Sequence, residues 1–225
     1  MRSRTILSVL ALVLFMPLRV TDAQAVTVYS QPLNVNGDGG GFSYPDQQEA
    51  DRFRLASNAS LTDLVWYGDN QNNSFGATRT FTIRFFADAT TEPASTPFVE
   101  QTVIASIVDT GIASGSEEIF RFSATLGSPV ALTGGTDYWL SILDVSTTNA
   151  FALFRWAPGS TTNPNDLLMH FRVSDASPWF AVSVSSRAQT AYDLVVGTAA
   201  VPEPSTLLLL GAGLAGLAWR RLRKR

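Results

Sequence analysis

An all-β fold, a single jelly-roll-like β-sandwich, is predicted for residues 26–196 by three observations. Short runs of alternating apolar and polar residues recur along this stretch, clusters of Gly, Pro, Asn, Asp, Ser and Thr separate them, and helical periodicity is hard to find between them. About ten such runs in one stretch of this length suit two packed layers of strands around one core. The length allows one sizeable core and is short for two domains.

The elements follow in order. Asp51-Arg52-Phe53-Arg54-Leu55 and Leu61-Thr62-Asp63-Leu64-Val65-Trp66-Tyr67 alternate, or nearly so, as half-buried strands do. In Phe81-Thr82-Ile83-Arg84-Phe85-Phe86-Ala87, Phe81, Ile83 and Phe85 take one face while Thr82 and Arg84 take the other, before Asp88 and a Thr-Thr-Glu-Pro stretch end the run. The remaining strands are expected over residues 99–108, 118–124, 137–145, 150–156, 168–173, 179–184 and 192–196. No repeat of 20 to 50 residues is visible, which excludes solenoids and propellers. Cysteine is absent from the chain, so apolar packing alone has to hold this domain together.

The two ends read differently. Arg2 and Arg4 precede an apolar stretch from Ile6 to Leu18, Pro17 and Arg19 interrupt any longer helix, and Ala23-Gln24-Ala25 offers small residues for signal peptidase. Residues 1–25 are therefore expected to be a secretory signal peptide, with a mature chain from Val26. At the other end, residues 197–201 form a short linker of small residues into Val201-Pro202-Glu203-Pro204-Ser205. An apolar run over 206–219 and the basic tail Arg220-Arg221-Leu222-Arg223-Lys224-Arg225 follow without a gap. Two prolines around a glutamate hold the backbone extended and readable. As a helix, Leu207 to Trp219 covers about 20 Å of a ~30 Å hydrocarbon core, so its flanks must extend the reach. Gly211, Gly213 and Gly216 leave a face on which another membrane helix packs closely. The basic tail favours the cytoplasmic side and puts everything before Val201 outside.

This order of parts over residues 201–225 resembles the PEP-CTERM sorting signal. The resemblance implies that Pro202, Glu203 and Pro204 are the sorting motif, that exosortase of a Gram-negative bacterium is a partner, and that the inner membrane holds the C-terminal helix until sorting to the cell surface or extracellular matrix. An ordinary C-terminal anchor behind a proline hinge is the alternative. The central stretches Ala50-Asp51-Arg52-Phe53, 81–88 and 135–142 are loosely similar to the β-rich ectodomains that precede such tails, a similarity that carries no site residue with it.

Residues 26–200 hold eight arginines, no lysine and seventeen carboxylates, a balance of −9. Such a field repels phosphate backbones, so nucleic acid is excluded as a partner, while cations and neutral glycans suit it. Catalytic patterns are weak. The single histidine, His170, lies in an apolar strand-like run and reads as structural; Ser114 lacks the Gly-x-Ser-x-Gly setting of a nucleophile; a thiolate is absent. Glu117 and Glu118 are neighbours on a strand, point to opposite faces and cannot flank one glycosidic bond. No enzyme activity and no cofactor are expected.

Two binding patterns remain. Asn34, Asn36 and Asp38 place oxygens at alternate positions before Gly39, as in a calcium loop, but Pro45 stands where a bidentate glutamate belongs, so a plain Asn/Asp/Gly turn is favoured. Trp66 and Tyr67 run into Asp69, Asn70 and further amides, an aromatic platform beside hydrogen-bonding groups that suits a sugar ring. By alternation one of the two aromatics must leave the core. Trp156 with Asn163, Asn165 and Asp166 is a second candidate, although Trp139 and Trp156 suit a core better. The sequence thus reads as an exported cell-surface or matrix protein, structural and associated with exopolysaccharide or biofilm. A surface carbohydrate-binding module is the alternative and a glycoside hydrolase a weaker one.

Overall fold

In the computed structural model the described residues are 25–35, 41–69, 75–114, 117–146, 153–160, 169–182 and 190–197; all but the last residue of the expected signal peptide 1–25, all but the first of the expected linker 197–201, and the expected membrane helix and basic tail lie outside them. Ala25–Gly197 form one compact unit. Its twelve strands are β1 (Ala25–Gln31), β2 (Gly41–Phe42), β3 (Gln48–Arg54), β4 (Ala59–Asp69), β5 (Thr78–Ala87), β6 (Val99–Ser114), β7 (Glu117–Leu132), β8 (Asp137–Asp144), β9 (Arg155–Trp156), β10 (Met169–Arg172), β11 (Phe180–Ala181) and β12 (Tyr192–Gly197). No helix occurs among the described residues, so this domain is all-β as its alternation predicts.

Every strand belongs to one antiparallel sheet in the order β1-β12-β4-β7-β6-β5-β8-β3-β10-β11, with β9 bridging β4 to β2. This sheet curls, and the two layers expected of a sandwich are two stretches of it. The apolar cluster inside draws residues from both stretches: Leu64 and Trp66 on β4, Phe120 and Phe122 on β7, Phe81, Ile83 and Phe85 on β5, Leu140 and Ile142 on β8, Phe53 on β3. Hydrogen bonds to a carboxylate and ring contacts close the curl. Asp51 on β3 accepts hydrogen bonds from the Thr190 amide at 2.5 Å and from its hydroxyl at 2.6 Å, two residues before β12 begins, and Tyr29 on β1 packs on Tyr192 of β12 and on Phe53 of β3.

Alternation on β5 places Phe81, Ile83 and Phe85 inward, yet Phe86 on the opposite face is buried too. Its cover is a second small cluster with Ala50, Trp139 and Trp179. Arg172 lies over both the Phe86 and Trp179 rings, with its guanidinium carbon 5.5 and 4.4 Å from their centroids. Trp179 and the Arg172 stem thus shield one end of the outer face, a layer that single-strand periodicity does not announce.

Several strands outrun their sequence signal. The hairpin of β6 and β7 extends to Ser114 and from Glu117 because cross-strand pairing continues past an irregularity between Asp109 and Ile112, where Gly111 takes a φ of 66°. Conversely, of the strand expected over 150–156 only Arg155–Trp156 pairs among the described residues. β1 and β2 were not expected from alternation; β1 is exposed at both faces over Ala25 to Val28, so no inward stripe marks it.

Candidate functional site

The end of β4 carries the strongest sequence-predicted site, Trp66, Tyr67, Asp69 and Asn70, and the fold separates its members. Trp66 points into the core and is 0 % exposed. Its ring stacks on Phe122 with centroids 5.7 Å apart and meets Phe81 edge-on at 5.0 Å. A sugar ring has no access to it, and the expected stacking role of Trp66 is corrected accordingly: of the two aromatics, the larger apolar surface went inside. Tyr67 takes the other face and is half-buried opposite Arg121. Asn70 lies outside the described residues.

Asp69 is buried, at 1 % exposure, and is held by Arg155, which lies opposite it in the β4–β9 register. The Arg155 Nε donates to Asp69 Oδ1 at 2.5 Å, and Nη2 of the same guanidinium is 3.1 Å from Glu117 Oε1 at the start of β7. The guanidinium also lies over the Phe42 ring of β2, 5.9 Å from its centroid. Two carboxylates therefore share one cation. Burial pushes the Asp69 carboxyl up to about 6, Glu117 adds to the rise, and the charge and hydrogen bond of Arg155 offset it only in part.

Gly68 makes this corner compact. A Cβ there would lie 2.2 Å from Phe154 Cε2 and 2.5 Å from the Arg155 carbonyl oxygen, so only glycine lets β4 and β9 approach so closely. Beyond it, Trp156 is fully buried and donates its indole N–H to the Ala191 carbonyl at 3.1 Å, which places it in the core and removes it as a platform for a sugar ring. Its proposed companions Asn163, Asn165 and Asp166 lie outside the described residues.

The other candidates sort as follows. The Asn34 amide bonds the Pro158 carbonyl at 2.9 Å, while Asn36 and Asp38 lie outside the described residues. Among the described residues no group of three or more His, Asp or Glu side chains is placed to hold a metal. His170 is 6 % exposed, packs edge-on against Trp139 at 4.8 Å, and burial lowers its pKa. Glu117 and Glu118 pair with Ser114 and Ala113, and Glu117 turns to Arg155. A shallow cleft of about 330 Å³ between the ends of β4 and β7 is lined by Asn58, Ala59, Ser60, Ala131, Leu132 and Thr133, without a titratable group.

Sequence reasoning found Asp69 but missed its partners. Arg155 is 86 residues away. The only local sign of it is an arginine set between Phe154 and Trp156, a charge among rings that has to find a buried counter-ion.

The fold thus defines a cysteine-free, all-β domain of curled-sheet type with an ion-paired rather than open corner. Comparison with known families adds what the domain itself does not display: residues 200–224 match the family model of the PEP-CTERM protein-sorting motif, so this chain carries that motif. No curated protein matches the chain. The motif marks the protein as exported and sorted through the membrane, with exosortase as its processing partner. Pro202, Glu203 and Pro204 fall within the matched residues.

Proposed function

We propose that this protein is a structural component of the cell surface or the exopolysaccharide matrix, held at the inner membrane by residues 206–219 until exosortase acts at Pro202-Glu203-Pro204. The sorting motif carries this reading. The acidic balance of residues 26–200 adds to it, since a soluble, self-repelling surface suits a protein dispersed in a hydrated glycan network. The domain acts as packing and spacing material and not as a catalyst: Arg79 with Asp144, Arg84 with Glu100 and Arg155 with Asp69 and Glu117 tie its charges into ion pairs between strands, and Arg84 also pairs with Asp175 in the turn after β10.

The test is a fractionation of cells producing the wild type or a Pro202→Ala, Glu203→Ala, Pro204→Ala variant. The wild type is expected in the surface and extracellular polysaccharide fractions. The variant is expected to be exported and retained in the inner membrane. Equal delivery of both would overturn the sorting reading, and a wild type that leaves the cell but never co-fractionates with polysaccharide would overturn the matrix role alone.

A further inference from the structure

Four strands meet where β4 ends. β9 pairs with β4 through Gly68↔Trp156 and Asp69↔Arg155, and with β2 through Gly41↔Trp156 and Phe42↔Arg155. The β2–β9 ribbon is only two residues wide on each strand, so few ladder bonds hold it. Its one charged member is Arg155, whose guanidinium reaches Asp69 on β4 and Glu117 on β7 and covers Phe42 on β2. With both acids ionised this corner holds two negative charges and one positive charge, and Asp69 is almost wholly out of water. A net charge enclosed in that way is unfavourable, and either a proton or hydration relieves it.

We propose that Asp69, Arg155 and Glu117 form a proton-operated clasp, which holds the β2–β9 ribbon closed over the end of the sheet in mild acid and lets it open as Asp69 ionises. The groups facing Asp69 are Arg155 from β9 and Glu117 from β7; β2 contributes the neutral Phe42 ring, the segments carrying Phe154 and Ala191 contribute neutral residues, and the one further acid against the ribbon is the buried Glu49 carboxylate of β3, which lies against Gly41. The direction follows from proton linkage. Closed, the Asp69 carboxyl titrates at about 6; opened and hydrated it returns toward 3.8, so the closed form binds the proton more tightly and acid favours closure. The opening equilibrium rises with pH between those two values and levels off above them. An exported domain meets the pH of its surroundings directly, so the clasp couples one end of the fold to that pH.

Hydrogen exchange on the purified full-length chain in detergent micelles tests this, with protection factors corrected for the intrinsic pH dependence of exchange. The reporters are the Ala157 amide, bonded to the Tyr67 carbonyl, and the Ser43 amide, bonded to the Phe154 carbonyl; the Ile83 amide in central β5 is the control. Protection at Ala157 and Ser43 is expected to lie below that at Ile83 at every pH, which marks a local opening, and to fall about twentyfold from pH 4.5 to pH 7; any opening that hydrates Asp69, global unfolding included, carries this proton linkage. In Asp69→Asn the fall disappears. In Glu117→Gln it shrinks, since Glu117 is one of the groups that raise Asp69. A flat wild-type profile overturns the clasp, as does a fall that persists in Asp69→Asn; if Asp69→Asn does not fold, an unchanged fall in Glu117→Gln overturns it instead.

Discussion

The Tyr29 and Phe53 rings meet with centroids 5.7 Å apart, although Tyr29 lies on β1, at one end of the hydrogen-bonded sheet, and six strands separate it from Phe53 on β3. Only a curled sheet brings them together. Phe53 also contacts Phe85, Tyr138 and Tyr192, which makes it the place where the two stretches of the sheet lock. Phe53→Ala is expected to destabilise the domain by about 3–5 kcal/mol, measured by urea unfolding, because the cavity falls between stretches that cannot collapse onto each other. A cost below about 1 kcal/mol would mean that the curl does not depend on this contact.

Trp66 and Tyr67 are neighbours with opposite environments. Trp66→Ala removes a fully buried ring stacked on Phe122 and should cost about 3–5 kcal/mol. Tyr67→Ala, on the half-buried outer side, should cost markedly less in the same unfolding assay. Equal costs would contradict the register of β4.

Gly68→Ala forces a methyl group against Phe154 and the Arg155 carbonyl. The expected loss is about 1–3 kcal/mol in unfolding free energy, as for other overpacked sites. Pairing it with Phe154→Leu should recover part of the loss, because the smaller side chain vacates the space that the methyl group needs. No recovery in the double variant would place the strain in the backbone contact alone.

Asp137 accepts hydrogen bonds from Arg54 Nε at 2.7 Å and from Arg52 Nη2 at 2.5 Å, and the Arg54 bond is the largest of the effects that hold its carboxyl below the ordinary carboxylate range. A folded value lower than the unfolded one means that the stabilisation is present above the unfolded pKa, about 3.9, and is lost as pH falls through the folded value. The contribution of Asp137 to stability should therefore be lost only in strong acid. Arg54→Met should flatten that decline and reduce its sensitivity to salt, since Arg54 is partly exposed. An acid profile identical in the two proteins would remove Asp137 as a cause.

The C-terminal segment makes a topological prediction. Deleting residues 220–225 removes the cationic cluster that favours the cytoplasmic side, so the tail should become sensitive to protease added to the periplasmic face of spheroplasts. Continued full protection would count against orientation by the basic residues.

What the sequence determined by itself is what depends on near neighbours. The sorting tail is an ordered string of local features, and the alternation of Phe81, Ile83 and Phe85 shows on its own which face of β5 turns inward. The all-β class follows from many such strings. The tertiary structure decided what depends on distant partners. Alternation states that Trp66 and Tyr67 diverge but not which one is buried; Phe122 and Phe81 settled that by surrounding Trp66. The partners of Asp69 arrive from β9 and β7, and the outer face behind Phe86 is covered by Trp179. Periodicity records the environment of a side chain along one strand, whereas register, curl and ion pairing are set by contacts that close only when strands far apart in the chain come together.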